Sequence, residues 1–218
     1  MPGLAAVLVA AALGIAVASV PSMAAASATA TAVPLREAVA ALPVAEESRD
    51  GYQRDKFRHW TDADRDGCST RAEVLIDEAA VAPEVGPKCA LAGGLWYSSY
   101  DDEYVSDARG VDIDHMVPLA EAWDSGASAW TANRREAYAN DLDSPQTLIA
   151  VTARSNRSKA DQDPSTWLPS YAAAQCGYIT AWVSVKTRWG LTVDNNEKAV
   201  LVEKAARCPN VPIAVGIA

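Results

Sequence analysis

The segment Val111-Asp-Ile-Asp-His-Met-Val-Pro118 alternates apolar and polar side chains until its proline, the pattern of a strand that stops there. Thr147-Leu-Ile-Ala-Val151 is a short run rich in β-branched residues, suited to a second, buried strand. Arg154-Ser-Asn-Arg-Ser-Lys-Ala160 carries no helix breaker and reads as a short polar helix. Between the strands lie a short helix through Ala120-Glu-Ala-Trp123, a turn at Ser125-Gly126 and a helix from Asn133 to Tyr138. The order is strand, insertion, strand, helix, and the expected class is α+β.

Downstream, Cys176, Ile179, Trp182, Val183 and Trp189 recur at helical spacing from Tyr171 to Gly190. A second helix starts at Asp194, with Glu197 three positions on in a capping-box arrangement, and runs to Arg207 before Cys208-Pro209. In an antiparallel hairpin the start of the first helix lies beside the end of the second. Cys176 is therefore expected to pair with Cys208, which leaves Cys68 with Cys89. The chain has 4 cysteines and no C-x-x-C pair, so two structural disulfides are the simplest arrangement.

Upstream, residues 46–114 read as a helix before Trp60, an acidic loop, a helix through Glu73 to Ala80, and a region rich in Gly and Tyr suited to short strands. Trp96, Tyr97, Tyr100 and Tyr104 have faces that can stack on bases, but 7 Trp against 1 Phe means that indoles fill this core, and most of the four are expected inside it. Residues 29–45 read as a linker running into a short helix, and residues 46–210 as one domain whose central unit spans about 110–162. Arg36 is the first charged side chain, and the apolar run over residues 4–18 is followed by Pro21 and several A-x-A steps. That is a signal peptide over residues 1–28, cleaved between Ala24 and Ala32, and the run is shorter than the roughly 20 residues that span a bilayer. The expected product is secreted, extracellular and monomeric, with no stable membrane association.

The composition, 50% apolar and 22% charged, folds into a core and excludes a disordered chain. Nineteen basic against 28 acidic residues give −9, which excludes attachment to nucleic acid through a broad basic surface. The excess is local: residues 46–114 hold 17 acidic and 8 basic side chains, whereas residues 115–218 hold 10 of each.

There are 2 histidines. His59, in Lys56-Phe-Arg-His-Trp60, suits a helix face or the surface. His115 follows Asp114: an imidazole that titrates near neutrality can take a proton from water, and a neighbouring carboxylate can hold a divalent cation. Asp62-Ala-Asp64-Arg-Asp66-Gly67 and Glu73 match the D-x-D-x-D-G-x5-E spacing of a calcium loop. Ser69 stands where that loop prefers an apolar residue, and a Thr70–Glu73 capping box would account for the same glutamate without metal. A structural calcium site and a disulfide-anchored acidic turn both stay open.

Taken in order, Asp114-His115-Met-Val-Pro118-Leu119, Ala122-Trp123-x-Ser125-Gly126, Tyr138-Ala-Asn140-Asp141, Leu148-Ile-Ala-Val151, Asn156-Arg-Ser-Lys159-Ala-Asp161 and Asp163-Pro164-x-x-Trp167-Leu-Pro169 resemble the HNH, or His-Me finger, nucleases. The resemblance is to the secreted branch that shares its domain with the C-terminal part of GmrSD-type restriction enzymes. It covers about residues 50–208 and implies a ββα-metal nuclease core with surrounding helices and a C-terminal helical hairpin. By position it makes His115 the general base and Asp114 and Asn156 the ligands of one divalent cation, magnesium or manganese. Thr147 occupies the place of the family's middle Asn, which braces the histidine loop; the Thr147 hydroxyl or the nearby Asn140 would then take that role. Arg157 and Lys159 are placed to meet phosphate, as is Arg71 ahead of the core, although a solvated basic face accounts for the helix pair equally well.

The implied function is a metal-dependent endonuclease of low sequence specificity acting on DNA, with RNA as a second substrate. Two other classes compete: a non-catalytic calcium-binding module built on Asp62 to Glu73, and, last, a cell-wall hydrolase with two carboxylates.

Overall fold

The computed structural model describes residues 31–218; the signal peptide expected over residues 1–28 lies outside them. In chain order the elements are β1 (Thr31–Pro34), α1 (Leu35–Ala41), α2 (Thr70–Asp77), β2 (Ala79–Val81), β3 (Glu84–Gly86), β4 (Ala90–Ala92), β5 (Leu95–Ser98), β6 (Glu103–Val105), β7 (Val111–His115), α3 (Leu119–Asp124), α4 (Ala132–Ala139), β8 (Leu148–Thr152), α5 (Ala153–Lys159), α6 (Gln175–Trp189), α7 (Asn195–Arg207) and β9 (Pro212–Val215). The class is α+β, with small antiparallel sheets and helices packed around them.

β7 and β8 pair antiparallel from Val111 opposite Thr152 to His115 opposite Leu148. The two-residue alternation of a strand sends Val111 and Ile113 into one apolar cluster with Leu75, Trp96, Leu148 and Ala150. It turns Asp112 and Asp114 to the opposite face, toward α5. α5 follows β8 directly, begun by Thr152, whose side chain accepts from the Ser155 amide. Two strands and a helix therefore form one packed unit, with α3 and α4 inserted between the strands.

The second, larger cluster is built on the C-terminal hairpin. α6 stops at Gly190, whose φ of +65° supplies the left-handed C-cap. Asp194 caps α7 by accepting from the Glu197 amide, but the Glu197 carboxylate does not turn back to close the expected box. It points inward, accepting from the Trp182 indole and from Lys186. Lys186 is 0% exposed and also reaches Glu121 of α3 at 2.7 Å, so one buried ammonium ties three helices together. Both disulfides form as expected, Cys68–Cys89 and Cys176–Cys208. Trp96 and Tyr100 lie in the core, whereas Tyr97 and Tyr104 are exposed.

Three expectations are corrected. The helix before Trp60 is a single 3-10 turn, Arg54–Lys56, with no buried residue; Phe57 then leaves in an extended conformation to fill the core. Ser69 holds the N-cap position of α2 without a side-chain capping bond, so Thr70 is already helical and forms no box with Glu73; its hydroxyl donates instead to the Thr61 carbonyl and Asn140. The stretch taken as a linker is, from residue 31, part of the folded unit: β1 pairs with β9, and α1 buries Leu35, Ala38 and Val39. Arg36 of α1 donates to the Ala205 and Cys208 carbonyls at the end of α7, and Lys198 of α7 donates to the Ala40 and Leu42 carbonyls at the end of α1. Each helix thus supplies a cation to the carbonyls at the other's C-terminal end.

Candidate active site

His115 closes β7 with 5% of its surface exposed. Its Nε2 lies 3.0 Å from the Ala139 carbonyl, at the end of α4. A carbonyl can only accept, so Nε2 carries the proton and Nδ1 keeps its lone pair. Burial pushes the imidazole down to about 3, helped by the positive charges of Arg54 and Lys159, so the ring is neutral at physiological pH. Two aromatic rings lie tilted against it: Trp60 at 5.3 Å and 33°, and Tyr138 at 6.3 Å and 31°. Trp60 has a φ of +60°, a left-handed backbone that costs an L-residue roughly 1–2 kcal/mol and persists only where its surroundings enforce it.

Asp114 is 4% exposed, and Lys159 Nζ sits 2.9 and 2.7 Å from its two oxygens. Tyr100 donates to Oδ2 at 2.7 Å, and Lys159 also donates to the His115 carbonyl at 2.9 Å. Burial pushes the Asp114 carboxyl up and the Lys159 ammonium down; each is kept charged by the other. On α5, Asn156 donates through Nδ2 to Asp112 Oδ2 at 3.3 Å, which leaves its own oxygen as an acceptor.

Arg54, Asp114, His115, Asn156, Arg157 and Asp161 line one cavity of about 340 Å³. Arg54 is exposed and forms no ion pair among the described residues, and Arg157 is 77% exposed with Asp112 at 3.8 Å. The cavity therefore presents two available guanidiniums, an uncharged imidazole, an amide oxygen, the Asp114 carboxylate already countered by a lysine, and the half-exposed Asp161 carboxylate 3.4 Å from Arg49. The donor set fits one hard divalent cation that retains most of its water: Asn156 offers an oxygen, and three contacts leave Asp114 one of about four lone-pair positions. No soft ligand lines the cavity.

The structure brings His115, Asp114 and Asn156 together around this cavity and places the other expected residues elsewhere or in other roles. Lys159 is no phosphate contact: it is 0% exposed, because its position on α5 faces β7 and the Asp114 carboxylate. Arg71 donates to the Val111 and Ala108 carbonyls, clamping the chain that enters β7. Thr147 meets the histidine loop only through its backbone carbonyl, which accepts from the Met116 amide and continues the β7–β8 ladder, while its hydroxyl donates to Asp141. Asn140 holds a different loop: it accepts from the Thr61 amide and the Thr70 hydroxyl and donates to the Arg58 and Glu136 carbonyls. That loop carries His59 and Trp60. His59 is half-buried, donates from Nδ1 to the Phe57 carbonyl, and lies 6.4 Å from the His115 ring. Sequence reading missed Arg54, Trp60 and Tyr100, which lie 61, 55 and 15 positions from His115 and carry no local motif.

In the acidic loop, Asp62, Asp64 and Asp66 bring carboxylate oxygens within 4.8 Å of one another. They also accept from the Gly67, Asp66 and Cys68 amides in an ordinary turn. Glu73 is half-buried, and burial and then the three aspartates push its carboxyl up.

The family of GmrSD restriction endonuclease C-terminal domains matches residues 85–204. An uncharacterised secreted protein of Arthroderma benhamiae is 42% identical over 160 residues, which cover 73% of this chain and 77% of that protein. No solved structure matches the chain. Asp114, His115, Asn156 and Arg157 fall inside the family match, whereas Arg54 and Trp60 precede it.

Proposed function

Since the chain belongs to the family of GmrSD restriction endonuclease C-terminal domains, we propose that it is a secreted endonuclease of the HNH type that hydrolyses phosphodiester bonds, DNA first, with little sequence specificity. The carrying observation is the His115 tautomer: Nε2 is committed to the Ala139 carbonyl, and Nδ1 is the free base of a ring lining the cavity. Nδ1 removes a proton from a water; the resulting hydroxide forms the new O–P bond, the P–O3′ bond breaks, and the departing 3′ oxygen takes a proton from solvent. An entering phosphate opposes the downward push on the imidazole and makes it a better proton acceptor. Arg54 and Arg157 counter phosphate charge at the cavity. Asp114 and Asn156 hold one magnesium or manganese ion, which when bound stabilises the extra charge on the phosphate and the leaving oxygen.

Secretion is supported by the apolar leader, by two disulfides, and by a 42% identical relative described as secreted. Among the described residues no helix is long and apolar enough to cross a membrane.

The test is plasmid cleavage with magnesium or manganese, comparing the protein with His115→Ala. The variant should lose on the order of 100- to 10,000-fold in rate. No cleavage above the variant with any common divalent ion would sink the assignment. A calcium-binding module makes the opposite forecast: melting that depends on calcium, is abolished by Asp64→Ala and is indifferent to His115.

A further inference from the structure

Trp60 is half-buried, holds a left-handed φ of +60°, and sets its indole 5.3 Å from the His115 ring at 33°. The strained backbone is fixed from both sides. Asn140 accepts from the Thr61 amide and donates to the Arg58 carbonyl, and the Thr70 hydroxyl donates to the Thr61 carbonyl. His59 packs edge-on against the indole at 5.3 Å and is itself pinned to the Phe57 carbonyl. This loop is held by four hydrogen bonds with no stake in the core fold of β7, β8 and α5, and its outcome is the placement of one flat ring beside another.

A single hydrogen bond to Ala139 fixes the His115 tautomer but leaves the imidazole free to rotate about the donor direction. A flat neighbour inclined 33° to the ring at 5.3 Å restricts that rotation, because turning the imidazole further would drive its edge into the indole. We infer that Trp60 is a positioning residue: it holds the His115 ring in the plane from which Nδ1 meets the attacking water. The inference rests on the general-base role of His115. It adds to that role a residue outside the matched family segment, and it explains why a tryptophan occupies a conformation that glycine would accept without strain.

The experiment compares Trp60→Phe, Trp60→Leu and His115→Ala in cleavage kinetics, together with 15N spectra of the ring nitrogens; with only 2 histidines in the chain, His115→Ala assigns them. Leucine fills the apolar space without a flat face, whereas phenylalanine keeps one. Trp60→Leu should lower kcat on the order of 100-fold, the scale for a misplaced reacting group, with KM changed less than about two-fold. In it the His115 ring resonances should broaden or shift as the imidazole samples several orientations, while the Nε2-protonated tautomer set by Ala139 persists. Trp60→Phe should restore most of kcat and the sharp ring resonances. Equal kcat in the two variants, or unaltered His115 ring resonances in Trp60→Leu, overturns the inference. If Trp60→Leu does not fold, Trp60→Gly replaces it, since glycine relieves the φ while deleting the ring. An active His115→Ala enzyme would instead overturn the general-base role, and the nitrogen shifts would still decide whether Trp60 orders the ring.

Discussion

Lys159 was legible as a cation near the site, but its destination was not. Basic residues at 154, 157 and 159 look alike in sequence, yet only Arg154 and Arg157 are exposed, because the partner that draws Lys159 inward sits 45 positions away on β7. Asp114 and His115 were readable because a short motif before a proline carries them. Burying an ammonium and a carboxylate is tolerated only while both are present. Lys159→Met should therefore cost about 3–5 kcal/mol of stability by leaving Asp114 buried and uncountered, and adding Asp114→Asn should recover most of it. Urea unfolding measures both. A phosphate ligand at 159 would give the reverse, an unchanged midpoint and a raised KM.

At the level of elements, periodicity located β7, β8 and α7 to within two residues, and α6 to within two at its end but four at its start, where a 3-10 turn at Ala172–Ala174 precedes it. The hairpin geometry also fixed which cysteines meet. What escaped were segments whose shape is imposed from afar: the 3-10 turn before Phe57 lacks an apolar stripe, and β1 has no partner within its own half of the chain. The disulfides close loops of different length, with separations of 32 for Cys176–Cys208 and 21 for Cys68–Cys89. Chain entropy assigns them about 4 and about 3 kcal/mol respectively. Serine pairs at each site, compared by urea midpoint, should therefore both destabilise, with the Cys176–Cys208 pair the costlier. Loss of less than about 1 kcal/mol at either bridge would mean that packing already restrains the open chain.

Across the whole molecule, three glutamates raised by burial should favour mild acid, offset in part by His115, whose lowered imidazole costs stability as pH falls below 6.5. Burial pushes Glu78 from 4.5 to about 7, and it pushes Glu47 and Glu197 up as well. A raised carboxyl binds its proton more tightly in the folded state, so its contribution is complete below 4.5 and disappears as pH rises through the folded value. Unfolding free energy should fall between about pH 5 and pH 7, by at most ~1.4 kcal/mol per pH unit for each such group. Glu78→Gln should flatten that slope, and an unchanged slope would exclude Glu78 as a source. Below the usual aspartate range the trend reverses. Burial of Asp101 is outweighed by hydrogen bonds from Ser98, Thr152, Ser155 and Arg154, so its carboxyl is held low and its contribution is lost as pH falls through that value.

One consequence of the β1–β9 pairing concerns time rather than structure. Thr31 meets Val215 and Pro34 meets Pro212, so the first described strand has no partner until residues 212–215 are available. The Arg36 and Lys198 exchanges between α1 and α7 wait on the same event. A chain emerging from its N-terminus must carry β1 and α1 unpaired past the β7–β8–α5 unit and complete their closure only after that unit is available to fold.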